Sequence, residues 1–301
     1  VVWGASRPEF PSEDARLWFE RMRDRRWFCP EWPVEYGGAG LEPEQLAVLE
    51  SELRRLGCRP PQINLGIWML GPVLLAYGSE EQKRALLPPM ARGEVRWCQG
   101  FSEPNAGSDL ASLKMAARDG GDHFIVDGSK IWTSYGDKSD WMYALVRTDS
   151  SKPRHDGISL IVLDMRSPGV KAQPIDLISG KSAFCQVFFD AVKVPKSQLI
   201  GELNGGWALG KYLLQHERKA MSRFGEISLP SHVDLAALVR EYLPDPRGQG
   251  ELALKARASA VAMNEHAYEL TVRRMGEEAR HGDDIGGLMA VSYTHLRAHE
   301  T

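Results

Sequence analysis

The sequence predicts an α+β protein of more than one domain, with helices first, antiparallel β-structure in the middle and helices again at the end. Three observations carry that prediction. Before Glu94, apolar residues recur at intervals of three and four, the spacing of one helix face. From about Val95 the texture shifts to short runs of β-branched and aromatic residues separated by turns, with no helical period between them. After Gly205-Gly206 the helical spacing returns. The middle segment therefore reads as an antiparallel barrel or sandwich rather than a set of βαβ units.

Each element has its own local reason. Ser12 precedes an amphipathic run from Glu13 to Trp27, and Glu44 to Leu56 repeats the pattern. Ser79-Glu80-Glu81-Gln82 is a capping box that starts a helix reaching about Ala91, with Gly93 as its stop. Pro88-Pro89 within it are expected to bend or shorten the last turn. Trp32-Pro33-Val34-Glu35-Tyr36-Gly37-Gly38-Ala39-Gly40 is too rich in glycine for helix or strand. Arg96-Trp97-Cys98-Gln99 can end a strand, and His123 to Trp132 reads as strand, Asp127-Gly128 turn, strand. Trp141 to Val146, Ile158 to Leu163 and Gln186 to Phe189 supply further strands. Trp207 to Met221 is a strong helix, Leu243 to Gly248 a break, and Glu251 to Arg280 a longer helix. The expected domains are residues 1–94 (all-α), 95–203 (β) and 204–291 (α). Ser292–Thr301 break the preceding pattern and read as a non-native or read-through tail.

Composition excludes several classes. The chain has 301 residues, with 37 basic and 40 acidic residues for a net charge of -3, so no electrostatic reason points to nucleic acid or an anionic membrane. Cys29, Cys58, Cys98 and Cys185 lack paired spacing, which argues against a zinc site or disulfide framework and for a reduced, cytoplasmic setting. His295 and His299 have no partners at ligand spacing, so no metal site is expected. No apolar run is long enough to span a membrane, and no signal peptide opens the chain.

One stretch, Gly100 to Asp109 (GFSEPNAGSD), has the residues of a ligand cradle and equally those of an ordinary turn. No Gly-Lys-Ser/Thr follows, so it is not a Walker A loop, and the β-continuation forbids a Rossmann unit. What remains is a loop whose backbone N–H groups and hydroxyls, Ser102 and Ser108, can grip a flat polar ring or a phosphate. Lys130-Ile131-Trp132-Thr133-Ser134 sets an indole and two hydroxyls at a strand end. A buried heterocycle needs apolar walls and hydrogen bonds at its polar edge, and flavin suits the pair of segments. Glu217 follows Tyr212-Leu213-Leu214 on its helix, close to an apolar face. A carboxylate in such surroundings has its pKa raised and serves as a base near neutrality.

Together these segments resemble the acyl-CoA dehydrogenase family. The loop GFSEPNAGSDLAS, the Trp32–Gly40 loop, Lys130–Ser134, Val187 to Pro195 (VFFDAVKVP) and Leu199 to Trp207 match its motifs in the family's order. The resemblance implies a helical N-terminal domain, an antiparallel β-barrel middle domain and a C-terminal helical bundle, here incomplete. FAD would lie between the last two. Phe101 and Ser102 would face the flavin ring, with Gln99 beside them. Gly107 and Ser108 would lie by the pyrophosphate or the CoA arm. Trp132 would pack on the ring, while Thr133 and Ser134 would bond its reactive edge. Phe101 stands where the family usually has a smaller aliphatic residue.

The implied reaction is FAD-dependent α,β-dehydrogenation of an acyl-CoA thioester to the 2-enoyl-CoA. A glutamate takes the α-proton as the β-hydrogen leaves for the flavin, and electrons pass to an electron-transfer flavoprotein. Gln215-His216-Glu217-Arg218 falls on one of two family positions for that glutamate, the other lying downstream of this chain. Glu217 is the expected base and Arg218 a substrate contact. The family's Arg-x-x-Phe-Gly element has no clear match, since Arg223-Phe224-Gly225 comes too early. A homo- or hetero-oligomer, dimer or tetramer, is expected. The alternatives are a flavin- or CoA-binding subunit without turnover, and an oxidase or monooxygenase on the same scaffold.

Overall fold

A computed structural model describes residues 2–3, 10–58, 62–177 and 182–228, with side chains to 220 and without those of 2–3 and 62–63. The chain divides into two compact units, and the first reaches Arg218 in its described part. The second predicted C-terminal helix, the break before it and the tail lie outside the described residues.

The N-terminal helices form where expected. α1 (Glu13–Asp24) is capped by Ser12, whose Oγ accepts from the Ala15 amide at 3.1 Å. Its Arg16 bridges Glu13 and Glu20 on the solvent side. Such exposed pairs contribute only about 0.2–1 kcal/mol. Burial of Phe19 and Met22 contributes about 1.5–3 kcal/mol each and holds the helix in place. α2 (Pro43–Arg55) buries none of its residues. A two-residue parallel ladder pairs β1 (Val2–Trp3) with β2 (Gln62–Ile63). Next comes a π-type turn at Gly66–Leu70 that runs into α3 (Gly71–Tyr77), which periodicity did not pick out.

α4 (Glu80–Ala91) has the capping box in full: Ser79 Oγ accepts from the Gln82 amide at 3.2 Å and Gln82 Oε1 accepts from the Ser79 amide at 3.0 Å. Pro88 and Pro89 do not shorten it, and it continues to Ala91. Gln82 Nε2 also donates to the carbonyls of Ser197 and Leu199, both at 2.7 Å, tying the helix to the far end of the β-region.

The β-region corrects two expectations. It is an open, mixed eight-stranded sheet and not a closed antiparallel barrel. The strands are β3 (Trp97–Gly100), β4 (Ala116–Asp119), β5 (His123–Ser134), β6 (Trp141–Arg147), β7 (Ile158–Asp164), β8 (Val170–Pro174), β9 (Phe184–Pro195) and β10 (Leu199–Ile200). They run β10-β7-β6-β4-β5-β9-β8, with β3 also on β6. β3 and β4 share one edge of β6, both parallel to it, and among the described residues no bond joins β8 to β10. The parallel pairs arise because the long loop after β3 reverses nothing: the chain leaves β6's edge at Gly100 and returns to it at Ala116.

Asp127-Gly128 is not a hairpin turn. β5 is one strand of twelve residues that shifts register between Val126 and Gly128. Gly128 takes φ +140 there, and a Cβ on it would sit 2.9 Å from Met115 Cα. Asp127 fixes the bulge by accepting the Ala191 amide at 2.8 Å, where a turn would have left that amide to another partner. Hydrophobic residues fill both faces of the central strands, and Met142 to Val146 are all fully buried.

α5 (Gly206–Ser228) starts hard against β7, since the Ser159 backbone occupies the position a Cβ on Gly206 would take. Leu209, Leu213 and Glu217, four residues apart, form its buried face. Leu209 and Leu213 pack in one cluster with Phe101, Tyr143 and Leu145.

Candidate functional site

The site gathers at the C-terminal end of β3. Parallel pairing sets Gln99 opposite Tyr143 of β6, and the Tyr143 hydroxyl lies 3.3 Å from Gln99 Oε1 and 3.2 Å from Met69 Sδ. Phe101 meets the Tyr143 ring edge-on, with centroids 6.1 Å apart, and is buried. Burial pushes the Tyr143 phenol well above its ordinary value, and the charge of Glu217 adds to the rise. Glu217 is itself 3% exposed, so α5 buries a carboxylate whose charge reaches Tyr143, one turn beyond Leu213 of the cluster that holds Phe101 and Tyr143.

The loop after Phe101 is built around a buried ion pair. Glu103 and Ala106 exchange backbone bonds of 2.9 and 3.0 Å across Pro104-Asn105, which closes a tight turn. The Glu103 carboxylate accepts the amides of Lys114 at 2.7 Å and Met115 at 2.9 Å. Lys130 is fully buried, and its Nζ donates to Glu103 Oε1 at 2.9 Å and to the Phe101 carbonyl at 3.0 Å. Burial pulls the Lys130 ammonium down, and Glu103 opposes the fall. Arg147 braces the far side through the carbonyls of Ala111 at 2.7 Å and Leu113 at 3.2 Å, and Arg154 pairs with Asp109.

β5 carries the second segment. The Ile131 amide donates to the Ser102 carbonyl at 2.9 Å, joining the two segments directly. A second register shift between Lys130 and Thr133 puts Trp132 at φ +60. That backbone turns the indole outward, 41% exposed, with its edge toward Phe184. Thr133 is fully buried, and its Oγ1 has no hydrogen-bond partner among the described residues. Its methyl stands at Gly136 beside Val187 and Cys185 on the inward face, so the groups of this strand end that an aromatic ligand can reach are the exposed Trp132 indole and Ser134. Ser102 is buried and Ser134 half-buried beside it.

The structure therefore sets Gln99, Phe101 and Glu217 around Tyr143, and the Ile131 amide ties Ser102 to the strand end that carries Trp132, Thr133 and Ser134. Gly107 and Ser108 lie beyond the turn, half-buried and exposed, and nothing stands within 4 Å of where a Gly107 Cβ would be. Arg218, next to Glu217, is on the exposed side of α5. Sequence reasoning missed Glu103, Lys130 and Tyr143. For Lys130 a signal existed: a lysine at an inward position of a strand needs a buried acid, and the loop offers Glu103. Among the described residues, no cluster of His, Cys, Asp or Glu could hold a metal ion.

A polar loop tied to a strand end that carries an exposed indole, with a buried carboxylate on the helix that follows the sheet, can hold a flat aromatic ligand. Comparison with known proteins makes the class specific. The family model for the acyl-CoA dehydrogenase N-terminal domain matches residues 2–94, and that for the middle domain matches residues 98–192. Acyl-CoA dehydrogenase FadE34 of Mycobacterium tuberculosis is 36% identical over 275 residues, which is 90% of this chain and 37% of that protein. IpdE1 of the same organism is 36% identical over 216 residues, 71% of this chain and 56% of that protein. A solved structure described as the Tcur3481-Tcur3483 steroid ACAD is 34% identical with a TM-score of 0.64, over 88% of this chain and 69% of that one. The chain belongs to the acyl-CoA dehydrogenase family, whose members bind FAD.

Proposed function

We propose that this chain carries the FAD- and thioester-binding part of an acyl-CoA dehydrogenase, converting an acyl-CoA to its 2-enoyl-CoA with Glu217 as the base. The observation that carries the reading is the buried Glu217 carboxylate, whose charge reaches Tyr143 beside Phe101, together with the exposed Trp132 indole on the strand that the Ile131 amide ties to Ser102.

Gln99, Phe101, Ser102, Trp132 and Ser134 would hold the flavin ring, and Gly107 and Ser108 the pyrophosphate or CoA arm. Bound FAD supplies the two-electron acceptor for the hydrogen that leaves the β-carbon. The chain's own residues do the rest. Glu217 removes the α-proton and keeps it, while the pocket excludes water that would compete for the carboxylate. Phe101 and Tyr143 wall the pocket, and their fixed rings hold the acyl chain extended past Glu217. Arg218, exposed on the same helix turn, is placed for the anionic CoA portion. Electrons leave to an electron-transfer flavoprotein. The steroid ACAD relative supports a bulky acyl group and an assembly of two different chains.

Glu217→Gln should leave FAD bound and cut anaerobic bleaching of the flavin by acyl-CoA thioesters at least about a thousandfold. Bleaching at the wild-type rate would refute the assignment. Peroxide formed in aerobic turnover would point to an oxidase, and a wild-type flavin bleached by no thioester to a subunit without turnover.

A further inference from the structure

Among the described residues Lys130 is the one buried lysine or arginine, and nothing in the proton chemistry uses it. Its ammonium sits under the loop, bound on one side to Glu103 Oε1 at 2.9 Å and on the other to the Phe101 carbonyl at 3.0 Å. A buried pair of this kind is seldom the most stable solution. Apolar replacements of similar volume are commonly neutral or better, so the pair calls for a reason other than stability. The geometry supplies one. A buried ammonium has three protons to place, and the one given to the Phe101 carbonyl ties the ion pair to the loop backbone. The carbonyl bond fixes the peptide plane between Phe101 and Ser102. The next carbonyl, that of Ser102, is fixed in turn by the Ile131 amide at 2.9 Å. Two successive peptides are thus locked to β5, one by the Lys130 side chain and one by the amide next to it. The register shift that turns out Trp132 and buries Thr133 begins at the same lysine.

We infer that Lys130 is a positioning residue, which pins the Phe101–Ser102 peptide at a set distance from Trp132 and Thr133 so that loop and strand form one pre-shaped flavin cradle. Glu103 pairs with the ammonium and holds it in its buried place. The inference rests on the flavin reading above. It assigns the pair to cofactor placement and leaves substrate proton transfer to Glu217.

The test compares apo-protein titrated with FAD for three chains: wild type, Lys130→Met, and the double variant Lys130→Met with Glu103→Gln. Lys130→Met alone leaves a buried unpaired carboxylate and should be strongly destabilised. The double variant removes both charges and should recover most of the wild-type melting temperature. If Lys130 positions the loop, the double variant still binds FAD about tenfold or more weakly, with a shifted visible flavin spectrum. Recovery of both melting temperature and FAD affinity would show the pair to be merely structural and overturn the inference. So would a double variant that does not fold. A wild-type chain that takes up no FAD would instead sink the flavin reading itself, which separates the two failures.

Discussion

Thr133 shows how much one side chain can reveal. Its hydroxyl is buried without a partner among the described residues, on a strand whose register shifts just before it. Left to folding alone, a valine would serve better there. Thr133→Val is therefore expected to leave stability unchanged or to raise it by about 1 kcal/mol, as read by urea unfolding. The same change should leave FAD affinity within about twofold, because the hydroxyl faces inward beside Val187 and Cys185, away from the exposed indole. Lost stability would mean that the hydroxyl serves the fold, and a loss of FAD affinity of about fivefold that it reaches the cofactor. Lys130 and Glu103 teach the converse: two charges cancel so completely inside the protein that neither marks itself as functional when met singly.

At the scale of elements, α5 and β5 place the chemistry. α5 can bring Glu217 over the pocket only because its first residue lies against the β7 backbone, where Gly206 leaves no room for a side chain. Gly210 repeats the device one turn later: a Cβ on it would stand 3.2 Å from Leu145 Cδ1. Gly206→Ala should push the helix off the sheet and cost about 2 kcal/mol or more in a denaturant titration. A shift of about 1 Å at Glu217 should also lower the rate of flavin bleaching by about a hundredfold. If stability falls and the bleaching rate does not, α5 does not set the position of the base. In β5 the two irregularities divide the work. The bulge at Asp127-Gly128 lets the strand pass Met115, and the one before Thr133 splits the strand end into an outward indole and an inward hydroxyl.

The whole molecule is expected to respond to alkaline pH through its sheet. Cys98 is fully buried, and burial pushes its thiol from 9.0 to about 12; the Tyr143 phenol is likewise held well above 10.0. Both folded groups grip their protons harder than the unfolded chain does. Their contribution to stability is complete below pH 9 and is lost as pH rises toward about 12. The urea midpoint should be flat up to pH 9 and fall beyond it, and Cys98→Ala should make that fall shallower. A midpoint that rises between pH 9 and 11 would contradict the burial of these groups. No helix among the described residues is long and apolar enough to cross a membrane.

The order of helices and strands among the described residues, the capping of α1 and α4, and the buried phase of α5 were legible in the sequence, because each depends on neighbours within a few residues. Ser12 and Ser79 cap by contacts three positions away, and Glu217 shows its buried phase through Leu213 one turn earlier. What lay beyond reach was set by partners distant along the chain. Asp127-Gly128 reads as a turn locally, yet Ala191 claims its carboxylate and makes it a bulge. The middle strands read as antiparallel, yet the loop from Gly100 to Ala116 returns to the same edge of β6 and leaves the sheet mixed and open. Lys130 reads as a charge on a strand, and only the fold, by closing a 27-residue separation to 2.9 Å, makes it the partner of Glu103. Local propensity is written in the sequence; which buried charge finds its counterpart is decided by the packing that brings them together.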